Sequence, residues 1–133
     1  MNTLKIIAFY PVSNDQKKQM TGVFSFATLP AKYSFSFESG LINIEENTVY
    51  NLNYVLKNEY GQTLLNDNKE TSFDFLDIKS KKPTVLNASV SLQTAEISIP
   101  LEQTYYSMTL KVSEKSNQII LAEATTFFAT VKA

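Results

Sequence analysis

Residues 22–40, GVFSFATLPAKYSFSFESG, carry Phe24, Phe26, Tyr33, Phe35 and Phe37 between two glycines. Phe24 and Phe26 fall on one side of an extended chain, with Ser25 opposite. Tyr33, Phe35 and Phe37 share a side in the same way, opposite Ser34 and Ser36. This period of two is that of a half-buried strand, so the stretch reads as one strand, a Leu29–Pro30 corner and a second strand. The rings can be core or an exposed stacking platform for RNA. A platform of that kind wants a basic residue, glycines between the aromatics and nearby arginines, whereas serines intervene here and arginine is absent. Core is the better reading, and each buried Phe then contributes about 1.5–3 kcal/mol.

The same period recurs along the chain. In VYNLNYVL, Tyr50, Leu52, Tyr54 and Leu56 form one face. In YYSMTLKV, the face is Tyr106, Met108, Leu110 and Val112, and in VLNASVSL it is Leu86, Ala88, Val90 and Leu92. Ser, Thr, Asn and aromatic residues fill these segments, and no long window carries a helical stripe, so the chain is expected to be all-β and antiparallel. NEYG at 58–61 reads as a hairpin turn with Gly61 free to take positive φ, and EKSN at 114–117 separates two further strands. Pro30, Pro83 and Pro100 fall at strand ends, where a missing N–H costs least. SNDQKKQ and NDNKE read as polar loops. IILAEATTFFATV changes the phase of its apolar positions, which predicts a bulge or bend. The expectation is about eight or nine short strands in a single two-sheet β-sandwich over residues 1–133.

Composition supports a folded chain and removes several kinds of chemistry. The protein has 133 residues, 44% hydrophobic and 19% charged, with a net charge of −1. A chain of this length buries roughly two thirds of its unfolded surface, which is enough for a core without disulfides or metal. Cys, His, Trp and Arg are absent, and all 12 basic residues are lysines. There is thus no thiolate, no imidazole base or common zinc ligand, and no guanidinium fork for phosphate or guanine. Near-neutral charge gives no field toward nucleic acid or an anionic membrane. No stretch approaches the roughly 20 apolar residues of a membrane span, and MNTLKIIAFYPV lacks the pattern of a signal peptide, so the expected location is cytoplasmic. Richness in Lys, Asn, Ile and Tyr without Arg suggests an AT-rich genome, bacterial or phage.

Few side chains look chemical. Asp74 and Asp77 are three apart, so on a strand they face opposite ways and do not form a carboxylate pair. Asn66–Glu70 places oxygen ligands at alternate positions but lacks the glycine and terminal glutamate of a calcium loop. Glu45 and Glu46 have the same standing. Lys79, Lys81 and Lys82, with the smaller Lys17–Lys18 pair, suit a solvated edge better than a phosphate site. Serine is abundant, but no G-x-S-x-G elbow occurs and no histidine can serve a nucleophile. No catalytic residue, metal site or cofactor is expected. Tyrosine suits contact surfaces, and Tyr10, Tyr60 and Tyr105, with Lys79, Lys81 and Lys82, form the candidate interaction surface.

The layout of KIIAFYP, a polar loop, GVFSF and the VLKNEYGQTL hairpin resembles small uncharacterised bacterial single-domain β-sandwich proteins. The likeness covers about the first half of the chain and the KVSEKSNQIILAE hairpin, and departs where a DEDG-like turn here reads Asn-Glu-Tyr-Gly. It implies an immunoglobulin-like or related two-sheet topology, with no activity or site residue to carry over. The function expected is therefore a non-enzymatic interaction module, binding a protein partner or assembling with itself, with edge pairing along the last long strand as one route. Two alternatives stand beside it: a small-ligand carrier with a cavity between the sheets, and a phage or mobile-element inhibitor that contacts a host protein. Nucleic acid and membrane are not expected partners.

Overall fold

A computed structural model describes residues 3–15, 17–73 and 87–133. Ten strands occur among them: β1 Lys5–Val12, β2 Val23–Phe26, β3 Ala31–Tyr33, β4 Ser36–Ile42, β5 Val49–Asn58, β6 Thr63–Ser72, β7 Asn87–Gln93, β8 Ile97–Ile99, β9 Thr104–Glu114 and β10 Ile120–Lys132. They form a three-stranded sheet β1-β4-β7, a five-stranded sheet β2-β10-β9-β5-β6 and a two-stranded pair β3-β8. No helix is present among the described residues.

The alternating segments behave as their pattern requires. Tyr50, Leu52, Tyr54 and Leu56 of β5 are buried, as are Tyr106, Met108, Leu110 and Val112 of β9. Val90 and Leu92 of β7 are buried and Ala88 is half-buried, whereas Leu86 lies outside the described residues. The aromatic segment is core. Phe24, Phe35 and Phe37 are buried, with Tyr33 and Phe26 packed against them. Phe35 lies 5.1 Å from Phe24 and 4.7 Å from Phe128, and Phe37 lies 5.7 Å from Phe128. Phe128 also stacks on Tyr106 at 5.0 Å. Rings from β4 and from β9 and β10 thus meet, so the three- and five-stranded sheets share one core. Each such contact adds about 0.5–1.5 kcal/mol beyond the area buried.

Three features differ from the expectation. The strands among the described residues number ten, and the second aromatic segment is split between two of them: Tyr33 pairs with Ile97 of β8, while Ser36 pairs with Gln93 of β7. Phe35 lies at the crossing, where its N–H donates to Thr94 Oγ1 and its carbonyl accepts the Thr94 amide, both at 2.9 Å. The sheets are also not wholly antiparallel. β2 runs parallel to β10, with Val23 opposite Ala129 and Lys132 opposite Phe26. The two strands are far apart in the chain, so no hairpin dictates their direction. Finally, NDNKE is not a loop but the middle of β6, paired with β5 from Thr63 to Ser72. β6 is an edge strand exposed on nearly its whole length, so it has no buried face and no apolar alternation.

The turns follow the sequence. Gly61 at φ 79° closes the β5–β6 hairpin, where its N–H donates to the Asn58 carbonyl at 3.0 Å. Gln118 at φ 60° turns β9 into β10, and the register slips between Ile120 and Ala122, the bulge expected of that strand. A second slip between Ile6 and Ala8 of β1 leaves Ile7 facing solvent. β10 is not an open edge at its end: β9 flanks it on one side, β2 on the other, and β1 runs close by. Among the described residues β2 pairs only with Ala129–Lys132 of β10, so the stretch before Ala129 is hydrogen-bonded as a strand to β9 alone.

Candidate functional site

Tyr105 and Phe127 lie exposed on the outer face of the five-stranded sheet. In β10 the doublet Phe127–Phe128 must send one ring to each side of the strand. Phe128 enters the core, and Phe127 is left 70% exposed. Ala129, two residues on and on the same outer side, is flanked in register by Val23 of β2 and Tyr105 of β9. Val23 is 57% and Tyr105 55% exposed, while Ala129 is buried between them. Three neighbouring strands thus place Val23, Tyr105 and Phe127 side by side at one end of the outer face. Gln103 Nε2 donates to the Tyr105 hydroxyl at 2.6 Å and so holds the ring's polar tip. Single exposed apolar residues are ordinary on a protein surface; the grouping of three on neighbouring strands sets this end of the sheet apart.

The tyrosines singled out from the sequence are distributed over both sheets. Tyr60 is exposed in the β5–β6 turn, next to Asn58, whose partner across the sheet is Tyr106. Tyr60 and Tyr105 therefore lie toward the same end of the five-stranded sheet. Tyr10 is half-buried on β1, opposite Glu38 in the other sheet. Lys79, Lys81 and Lys82 lie outside the described residues, as do Asp74 and Asp77. Val23 and Phe127 were missed, although the Phe-Phe doublet within a strand signals an outward ring.

Further along the outer face polar side chains predominate, with Val49 and Ile120 exposed among them. Asn53 Nδ2 donates to Asn66 Oδ1 at 2.8 Å and Asn68 Oδ1 at 3.1 Å, and Asn51 Nδ2 donates to Asn68 Oδ1 at 3.3 Å. These cross-strand amides hold the edge strand β6 to β5, which gives Asn66 and Asn68 a structural role in place of a calcium loop. No cluster of three or more acidic ligands occurs among the described residues.

A second feature is a cleft of about 570 Å³, lined by Asp15, Lys18, Glu38, Tyr54, Lys69 and Ser91 among others. The loop after β1 builds one wall. Asn14 Nδ2 donates to the Ser34 carbonyl at 2.8 Å, and Ser36 Oγ donates to Asn14 Oδ1 at 2.6 Å. Asp15 Oδ1 accepts from Ser13 Oγ and from the amides of Lys17 and Lys18. The Ser13 hydroxyl first, then those amides, hold the Asp15 carboxyl below its usual range against desolvation. Glu38 on β4 is 19% exposed at its side chain; it accepts Ser91 Oγ at 2.8 Å on either oxygen and faces Lys18 Nζ at 3.8 Å. Opposite, Lys69 Nζ reaches from β6 to the Ser91 carbonyl at 3.2 Å. Burial raises the Tyr54 hydroxyl, and so does Asp67 beside it at 3.4 Å. The cleft opens where edge strands of the two sheets face each other and reaches Tyr54 of β5 and Leu92 of β7, while the Phe35, Phe37 and Phe128 rings fill the core elsewhere between the sheets.

No protein-family model matches the chain, and no curated protein does. Among solved structures, a bacterial adhesin from Mobiluncus mulieris superimposes in two crystal forms with TM-scores of 0.67 and 0.71, at 8% and 7% identity. The match covers 99% of this chain and 58% of the adhesin, so the chain spans little more than half of that structure. The adhesin contains intramolecular disulfide, isopeptide and ester cross-links; the first has no counterpart here, since cysteine is absent. A β-galactosidase-like protein from Bacteroides fragilis matches with a TM-score of 0.57 at 9% identity, covering 93% of this chain and 17% of that one. No helix among the described residues is long and apolar enough to cross a membrane. At such low identity the likeness is one of fold: this chain is an all-β domain with adhesin-like structural neighbours.

Proposed function

We propose that the chain is a non-enzymatic interaction module, an immunoglobulin-like β-sandwich that contacts a protein partner or a second copy of itself. The observation that carries this reading is the outer face on which Val23, Tyr105 and Phe127 lie side by side on three adjacent strands. Tyr and Phe are enriched at the centres of protein contacts, and these rings are held on strands, so little order is lost on binding. The adhesin-like neighbours give the reading further, weaker support.

Absence of His, Cys and Arg leaves carboxylate, lysine and tyrosine chemistry, and no side-chain arrangement described above resembles a nucleophile with its base. The cytoplasmic setting expected from the sequence belongs to this proposal too, while an adhesin-like role would suit the cell exterior; fractionation of source cells separates the two. The direct test is capture from source-cell lysate on the tagged protein, with light scattering of the eluate. A stoichiometric partner or a defined homo-oligomer supports the module. A monomer that captures nothing removes it.

A further inference from the structure

The cleft between the loop after β1 and the β6–β7 side of the molecule is separate from the apolar face, and its chemistry points to a different occupant. We propose that it is a binding site for a neutral saccharide, gripped by Glu38, Lys18, Lys69 and Tyr54.

Four observations carry this. The four ionic side chains that line the cleft, Asp15, Glu38, Lys18 and Lys69, are two carboxylates and two ammonium groups, so their formal charges cancel. Such a site offers no net attraction to an anion or cation but presents donors and acceptors together, which is what a polyhydroxylated neutral molecule needs, since each hydroxyl both donates and accepts. The second observation is preorganisation. Asn14 is tied to Ser34 and Ser36, Asp15 caps its own turn, Lys69 is fastened to the Ser91 carbonyl, and Glu38 is oriented by Ser91. Groups already held in place lose little freedom when a ligand arrives. Third, Glu38 is largely shielded from solvent yet has acceptor capacity beyond the Ser91 hydroxyl. A carboxylate with two adjacent oxygens matches two neighbouring hydroxyls of a sugar ring, and charge-assisted bonds of this kind are the stronger sort. Fourth, the volume of about 570 Å³ falls within the range of small-molecule sites. The lining sets these polar groups beside apolar surface that includes Leu92 and the Tyr54 ring, against which the C–H face of a sugar can lie.

The test is NMR titration of the isotope-labelled protein with cellobiose, maltose and lactose. The proposal expects saturable shifts for at least one of them at Ser13, Asn14, Asp15, Lys18, Glu38 and Ser91–Gln93, with the Tyr105 and Phe127 signals unmoved. Glu38→Gln, which keeps shape and loses charge, should weaken that binding about tenfold while leaving the spectrum folded. Phe127→Ser serves as a control that should leave it unchanged. No saturable shift with any of the three, or shifts confined to the Phe127 face, would overturn the proposal. Binding of glucuronate or of a free amino acid in place of the neutral sugars would overturn it as well. Loss of protein capture at the apolar face would bear on the interaction module and not on this site.

Discussion

Phe35 and Thr94 are locked to each other twice: the Phe35 amide donates to Thr94 Oγ1, and the Thr94 amide donates to the Phe35 carbonyl, each at 2.9 Å. Both residues are buried where the chain passes from β3 to β4 and from β7 to β8. The pair satisfies backbone groups that the sheets leave out at this crossing. Thr94→Val keeps the shape but strands the Phe35 N–H, and should cost about 1–3 kcal/mol in urea unfolding. An unchanged midpoint would mean that the crossing is held by ring packing alone.

Two buried tyrosines make a contrasting pair. The Tyr50 hydroxyl accepts the Glu45 amide at 2.9 Å, whereas the Tyr106 hydroxyl has no hydrogen-bond partner among the described residues. Tyr50→Phe should lower stability by about 1 kcal/mol, and Tyr106→Phe should leave it level or raise it. Chemical denaturation of both variants checks the sign of the difference.

Gly61 holds φ at 79° with open space where a Cβ would stand. Gly61→Ala therefore costs only the left-handed backbone, about 1–2 kcal/mol. A larger loss in thermal unfolding would point to a contact that the open space does not contain.

Alkaline pH should unfold the protein through its tyrosines. Burial raises the Tyr33, Tyr50 and Tyr54 hydroxyls above their usual 10.0. In the folded chain these groups keep their protons at a pH where the unfolded chain has lost them. Their contribution to stability is therefore full below pH 10 or so, and falls as pH rises from there through the folded values. Tyr54→Phe should flatten the alkaline limb of a stability–pH profile, since it removes one of the three groups.

Much of the core was legible because alternation reports burial directly. Tyr50–Leu56 and Tyr106–Val112 each bury the face that their pattern marks, and the Phe35–Phe37 segment enters the core as expected. β6 was not legible, because a strand exposed on both faces carries no alternation, and Asn66–Glu70 then looks like a loop. The parallel pairing of β2 with β10 joins segments about a hundred residues apart, beyond the reach of any turn signal. The cleft has the same character. Asp15, Glu38, Lys69 and Ser91 come from four separate segments and converge only through the fold. Phe127 was legible in principle, since adjacent phenylalanines in one strand point to opposite faces.

If the Phe127 face is where this protein makes contact, removing the exposed ring must abolish that contact. Wild type and Phe127→Ser are carried in parallel through capture from source-cell lysate and light scattering over a concentration series. The serine variant should keep its stability within about 0.5 kcal/mol, as an exposed substitution does. The wild type should hold a stoichiometric partner or self-associate, and Phe127→Ser should lose this. Equal capture and equal mass for the two proteins would contradict it.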